Sequence, residues 1–164
     1  MMTALEEYLR TSFHPDCDFI DGEAMERNVG TKKHSYAQGE IASWFNRRKE
    51  LLKLQALLEL RVEVGLGRIR IADVVVCDIP LPDEEVFASP FYLAVEVMSP
   101  DDTISAMQDR LDDYLEFGIL NIWVIDPWKH RGWHITAEGW AGATSFMGTT
   151  DGRVSLPLAE VLLP

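Results

Sequence analysis

The sequence predicts a mixed α/β (α+β) fold, one sheet flanked by helices. Three observations carry this. Four short apolar runs rich in β-branched residues, at 54–64, 68–78, 91–98 and 121–126, have the length and composition of buried strands. Two longer stretches, 34–50 and 103–117, space their apolar residues three and four apart, as amphipathic helices do. The second helix lies between the third and fourth strands, and a helical crossover joins parallel neighbours. The core order is helix, strand, strand, strand, helix, strand, with an antiparallel meander before a parallel pair.

The elements follow in order. Leu5, Tyr8 and Leu9 form the apolar stripe of a short helix at 3–10, and a turn with Pro15 follows it. Residues 18–27 alternate around Asp21-Gly22, a strong hairpin signal. Asp21 and Glu23 are assigned to that turn and its edges. Gly30-Thr31 offers a helix start. On the helix that follows, Ala37, Ile41, Trp44 and Phe45 face inward, His34 falls on the same face, and Glu40 lies at its edge. Gly65-Leu66-Gly67 turns the first core strand into the second. Residues 80–90 form an acidic, proline-containing loop. Ile104, Met107, Leu111, Tyr114 and Leu115 make the stripe of the crossover helix, Gly118 stops it, and Arg110 lies at the border of its buried face. Pro127 closes the last core strand. Residues 132–136 and 142–147 suggest a terminal hairpin across Glu138-Gly139, and the apolar tail 154–163 docks on the body.

The 164 residues fit one domain, 1–164, and a hydrophobic share of 47% supplies a core. No apolar run reaches membrane-spanning length, and the first residues lack a basic-then-apolar leader. The expectation is a soluble, cytoplasmic protein. Cys17 and Cys77 show no metal-binding spacing. The net charge of −12 disfavours loose attraction to nucleic acid, but the charge is polarised. Six of the fifteen Lys and Arg residues lie between Lys32 and Lys53, whereas residues 101–116 hold six acids and only Arg110. No P-loop, dinucleotide fingerprint or nucleophile elbow occurs.

Asp73 and Glu96 interrupt two of the apolar strands. Strand alternation puts Asp73 on the face of Ile69, Ile71, Val75 and Cys77, and Glu96 on that of Tyr92, Ala94 and Met98. A carboxylate on an apolar face is costly unless paired, hydrogen-bonded or metal-bound. Two on neighbouring strands repel each other unless a cation intervenes. The pair therefore suggests a divalent-metal site, beside the plainer reading that an Arg or backbone N–H groups hold each acid.

These residues carry a resemblance. Phe19-Ile20-Asp21-Gly22-Glu23, the stretch from Gly30 to Ser35, Ile71-Ala72-Asp73-Val74-Val75-Val76, Val95-Glu96-Val97-Met98-Ser99-Pro100-Asp101, Arg110 through Tyr114 to Gly118, and Ile122-Trp123-Val124-Ile125-Asp126-Pro127 occur in the order of the Uma-type restriction endonucleases. That family was long classed as a domain of unknown function within the PD-(D/E)XK nuclease superfamily. The resemblance implies a restriction-endonuclease-like αβββαβ core. It also implies a Mg²⁺ or Mn²⁺ ion on Asp73, Glu96 and the backbone carbonyl of Val97, DNA as substrate, and a homodimer. Arg110 would steady the transition state, and His34 or Glu40 would assist. The pattern departs in three places: Ala72 replaces a proline, Met98 replaces the superfamily's lysine, and Arg110 stands where the family often has lysine. Arginine keeps the charge but does not act as a general base.

Two other readings stay open. One is a catalytically inactive nuclease-like domain serving dimerisation or partner binding, with Trp128, Trp133 and Trp140 as candidate surface. The other is a small-molecule hydrolase using the same carboxylates.

Overall fold

The chain turns back at Asp21-Gly22 because both residues take left-handed backbone, φ 52° and 91°, as a two-residue hairpin turn requires. In the computed structural model, which describes residues 1–28 and 30–164, this turn joins β1 (Asp18–Ile20) to β2 (Glu23–Met25). Before it lies α1 (Ala4–Arg10), started by a reciprocal cap in which Glu6 N–H donates to Thr3 Oγ1 and Thr3 N–H to Glu6 Oε2. Helices α2 (Lys32–Arg47) and α3 (Lys49–Leu52) lead into β3 (Leu54–Gly65), β4 (Arg68–Asp78) and β5 (Leu93–Val97). The crossover α4 (Ile104–Phe117) delivers the chain to β6 (Asn121–Asp126). Gly118 ends α4 in left-handed conformation, φ 97°.

The sheet runs β2-β1-β4-β5-β6, then β7 (Arg131–Thr136) and β8 (Gly139–Ala143), with β3 paired along β4. Among the ladders of this sheet in the described residues, β5–β6 is parallel and the other pairs are antiparallel. This is the sequence-predicted order of core elements. The terminal hairpin differs in register. Its second strand starts at Gly139, directly after the turn, and residues 146–148 leave it to form β9 (Phe146–Gly148), which pairs with β10 (Ser155–Pro157). Gly132 explains the crowding there: a Cβ would meet Met147 Sδ at 2.7 Å and Ile125 Cδ1 at 3.0 Å. The apolar tail does dock, burying Leu156, Leu158, Val161 and Leu162.

Helices α2 and α4 cover opposite faces of the sheet. Ala37, Ile41 and Phe45 of α2 pack on Val74, Val76, Val95 and Trp123. Met107, Leu111 and Tyr114 of α4 pack on Val75, Cys77, Ala94 and Val124. A third cluster, Tyr8, Cys17, Phe19 and Ile69, closes the space under α1 and the first hairpin.

The alternation expected along β4 does not hold through Asp73. Ala72 shares the α4-side cluster with Val75 and Cys77, whereas Val74 and Val76 lie on the α2 side. On β3, Leu54 and Ala56 face α2, while Leu57, Leu60 and Val62 pack on the α4 side. Both strands therefore change face at one level. There Glu59 takes φ 49° and makes no ladder pair with Asp73, although the register on either side is unchanged. The local twist turns the Asp73 side chain out of the regular in-or-out pattern.

Candidate active site

Asp73 lies where β4 and β5 part. The ladder between them covers only Val74↔Val95, Val75↔Ala94 and Val76↔Leu93. Beyond it, the Val97 N–H has no β4 carbonyl opposite, and it donates instead to Asp73 Oδ2 at 2.8 Å. The Asp73 carbonyl, likewise without a ladder partner, accepts from Gln38 Nε2 at 3.0 Å. The carboxylate thus closes the gap between two diverging strands.

Two basic side chains join it. Arg27 Nη2 donates to Asp73 Oδ1 at 2.8 Å, and His34 Nε2 lies 3.3 Å from Oδ2. Asp73 is 3% exposed. Burial alone would raise its pKa, but the His34 hydrogen bond, the Arg27 charge and the Val97 N–H win, and the pKa is lowered. Burial alone would lower that of His34, yet the Asp73 hydrogen bond and charge raise it. His34 is therefore the inward-facing residue the sequence predicts, and it meets Asp73.

Glu96, 0% exposed, points to the other face. Its Oε1 accepts from Tyr114 Oη at 2.6 Å and its Oε2 from Arg110 Nη1 at 2.9 Å. Burial pushes its pKa up to about 7 against the pull of Arg110, with the Asp73 charge adding to the rise. Arg110 also donates to Asp18 Oδ2 at 3.3 Å, and Asp18 is tied further to Arg70 Nη1 at 3.0 Å and the Ile71 N–H at 2.9 Å. Arg70 in turn pairs with Asp113, as does Arg68. Asp18, Asp73, Glu96 and Asp113 thus face four guanidinium groups, Arg27, Arg68, Arg70 and Arg110.

A cleft of about 520 Å³ opens over this network, lined by Arg27, His34, Gln38, Asp73, Val97 and Arg110, with Glu26, Glu59, Asp101 and Asp102 also at its walls. Glu96 does not line it. Glu40 is not among the lining residues either: it pairs loosely with Arg47, 3.9 Å away, on the outside of α2. The lining includes none of the six basic residues between Lys32 and Lys53. Trp133 and Trp140 are packing rather than free surface. They meet edge to face at 5.7 Å against the α4-side core, and Trp140 Nε1 donates to Gln108. Trp128 is half-buried.

Sequence reasoning missed Arg27, Asp18 and Gln38. Gln38 was findable, because it lies one turn after His34 on the same face. The tie of Tyr114 to Glu96 was findable in the same way, one turn after Arg110. Nothing local marks Arg27.

The Uma2 family, described as "Putative restriction endonuclease", matches residues 5–161. The chain belongs to the Uma2 family. The crystal structure of a "putative nuclease belonging to DUF820" from Anabaena variabilis superposes with a TM-score of 0.82 at 20% identity, covering 98% of this chain and 97% of that one. A cryo-electron-microscopy structure of a DrdV–DNA complex is similar over 79% of this chain and 10% of that chain, with a TM-score of 0.47 and 11% identity. Among curated proteins, none matches. The fold expected of a Uma2 chain is therefore the fold observed.

The donors suit a hard divalent cation in kind. Asp73 and Glu96 offer carboxylate oxygens, and in an extended strand a residue's C=O points to the same side as its N–H, which for Val97 is toward Asp73. No group of three or more His, Cys, Asp or Glu side chains is arranged for a metal among the described residues. An ion here would complete its shell with water or substrate oxygens, as Mg²⁺ commonly does.

Proposed function

We propose that this Uma2 protein is a Mg²⁺- or Mn²⁺-dependent DNA endonuclease hydrolysing phosphodiester bonds. One observation carries the reading: Asp73 is suspended in the gap between β4 and β5, next to the end of the Glu96 strand, and faces an open polar cleft. Membership in a family described as restriction endonucleases gives that geometry its reaction class. Asp73 and the Val97 carbonyl would hold the ion from the cleft, and Glu96, now tied to Tyr114 and Arg110 outside the cleft lining, would have to turn toward it to complete the set. When bound, such an ion supplies a water nucleophile at neutral pH and neutralises charge on the phosphate.

The chain's own residues then have separable tasks. Asp18 and Glu96 fix the Arg110 guanidinium between them. From there it offers charge to a developing phosphorane, but no proton. His34, whose pKa is raised beside Asp73, orients the carboxylate through its Nε2. Gln38 holds the Asp73 backbone. Cutting both strands of a duplex takes two such sites, so a homodimer is the working form of this reading.

The test is cleavage of plasmid DNA with Mg²⁺ or Mn²⁺ by wild type, Asp73→Asn and Glu96→Gln, each shown folded by circular dichroism. Loss of cleavage in both variants is the expected outcome; cleavage at the wild-type rate in both would sink the proposal. A specific observation favours a second reading, an inactive domain that binds a partner: Arg27, His34 and Arg110 already engage the carboxylates that a metal would need. Folded wild type that never cuts, with any DNA or metal, would select it.

A further inference from the structure

We propose that Arg27 is an exchangeable counter-ion of this site: its guanidinium holds Asp73 Oδ1 while no divalent cation is bound, and gives that oxygen up when one enters. The inference rests on the metal-dependent reading above and adds what governs the ion's entry.

Charge raises the question. Asp73 and Glu96 would match one divalent cation, but Arg27 and Arg110 already supply two positive charges at those carboxylates. An ion entering with both guanidinium groups in place would meet strong repulsion at short range. One of them has to yield.

Geometry decides which. Arg110 is held twice, by Glu96 Oε2 at 2.9 Å and Asp18 Oδ2 at 3.3 Å, and it projects from the middle of α4. Arg27 has one short bond, 2.8 Å to Asp73 Oδ1, and its nearest approach to Asp18 is 3.9 Å. The Nε atoms of Arg27 and Arg110 are both buried with no hydrogen-bond partner among the described residues, so the difference lies in what holds each Nη and in the element each comes from. Arg27 lies outside regular structure, between β2 and α2, so no helix or ladder resists its withdrawal.

The three donors to Asp73 differ in the same sense. The Val97 N–H belongs to the end of a sheet strand, and His34 to the first turn of α2; both bond Oδ2. Among the described residues, Arg27 alone bonds Oδ1. Withdrawing Arg27 frees one carboxylate oxygen toward the cleft it lines, while Oδ2 stays anchored. The carboxylate then keeps its orientation and gains a ligand position.

The experiment is a calorimetric titration of Mn²⁺ into the full chain as wild type, Arg27→Gln and Arg27→Lys, after each is shown to be folded by thermal unfolding. Arg27→Gln removes the charge and should bind Mn²⁺ at least about tenfold tighter. Arg27→Lys keeps the charge and should stay nearer wild type. Equal or weaker binding by Arg27→Gln, with measurable binding by wild type, overturns the exchange and leaves the metal site standing. No binding by any of the three overturns both. Should Arg27→Gln fail to fold, the wild type supplies the answer by ¹⁵N nuclear magnetic resonance. The Arg27 Nε–H signal should move in step with Mg²⁺ occupancy while that of Arg110 holds; an unmoved Arg27 signal at saturation overturns the exchange.

Discussion

Asp73 binds three donors with two oxygens, and each donor comes from a different part of the chain. Truncation to alanine would strand Arg27 and His34 without their shared acceptor. Breaking a buried pair from one side costs about 3–5 kcal/mol, so Asp73→Ala should lose most of that in chemical denaturation. Asp73→Asn, which fills the same space and still accepts, should lose clearly less. Equal losses would mean that the charge itself, rather than the filled gap, supports the strands. The neighbouring groups set a pH dependence. Glu96 is faced by Arg110 and Tyr114 from α4, by Asp73 from β4, and by the Arg27 charge. Burial raises its pKa to about 7 from an ordinary 4.5, so the folded state binds its proton more tightly than the unfolded state does. That contribution is complete at low pH and is lost as pH rises from the lower value through the higher. His34, also raised, contributes below its ordinary 6.5 and loses that contribution as pH climbs through its folded value. Asp73, lowered from 3.8, acts oppositely but only in acid. The thermal midpoint should therefore fall between about pH 5 and pH 8, and Glu96→Gln should flatten that fall. A midpoint that rises over this range would contradict the assignment.

At the scale of elements, what was legible was what repeats. The helical stripes of α2 and α4 and the apolar runs of β3 to β6 are periodic or continuous, and each element formed where expected, although Ile104, the first residue of the α4 stripe, is exposed. Asp21-Gly22 named its own turn because few residue pairs accept two positive φ values. The change of face at Asp73 was not legible. It depends on β3 and β4 twisting together at Glu59, and a strict period of two hides such a slip. Arg27 was not legible either, because its partner lies 46 positions away and no spacing rule links a loop arginine to a strand aspartate. His34 and Arg110 could be placed on helix faces, but that both would already be engaged could not be read. The β7–β9 junction offers a test of packing independent of the site. Gly132→Ala would press its Cβ on Met147 Sδ and Ile125 Cδ1. Overpacking of this kind costs about 1–3 kcal/mol, readable as a lowered denaturation midpoint with an unchanged slope. A neutral result would mean that Met147 swings aside freely.

For the whole molecule, charge is the constraint. The net charge is −12, and Glu26, Glu59, Asp101 and Asp102 stand at the cleft. The lysines and arginines of α2 and α3 do not line it. No helix among the described residues is long and apolar enough to cross a membrane. A DNA phosphate entering this cleft would meet Glu26, Glu59, Asp101 and Asp102 as well as Arg27, His34 and Arg110, so affinity should depend on divalent cations. Binding of a fluorescent duplex should be weak in chelator and strengthen on adding Ca²⁺, a cation that often supports binding without cleavage. Strong binding in chelator would place the DNA-contacting surface elsewhere. The most direct measurement is a time course of supercoiled plasmid with wild-type protein, in Mn²⁺ and in chelator. Nicked and linear DNA accumulating only with Mn²⁺ is the expected result. Plasmid left intact in Mn²⁺, or cut equally in chelator, would contradict a metal-dependent nuclease centre at Asp73 and Glu96.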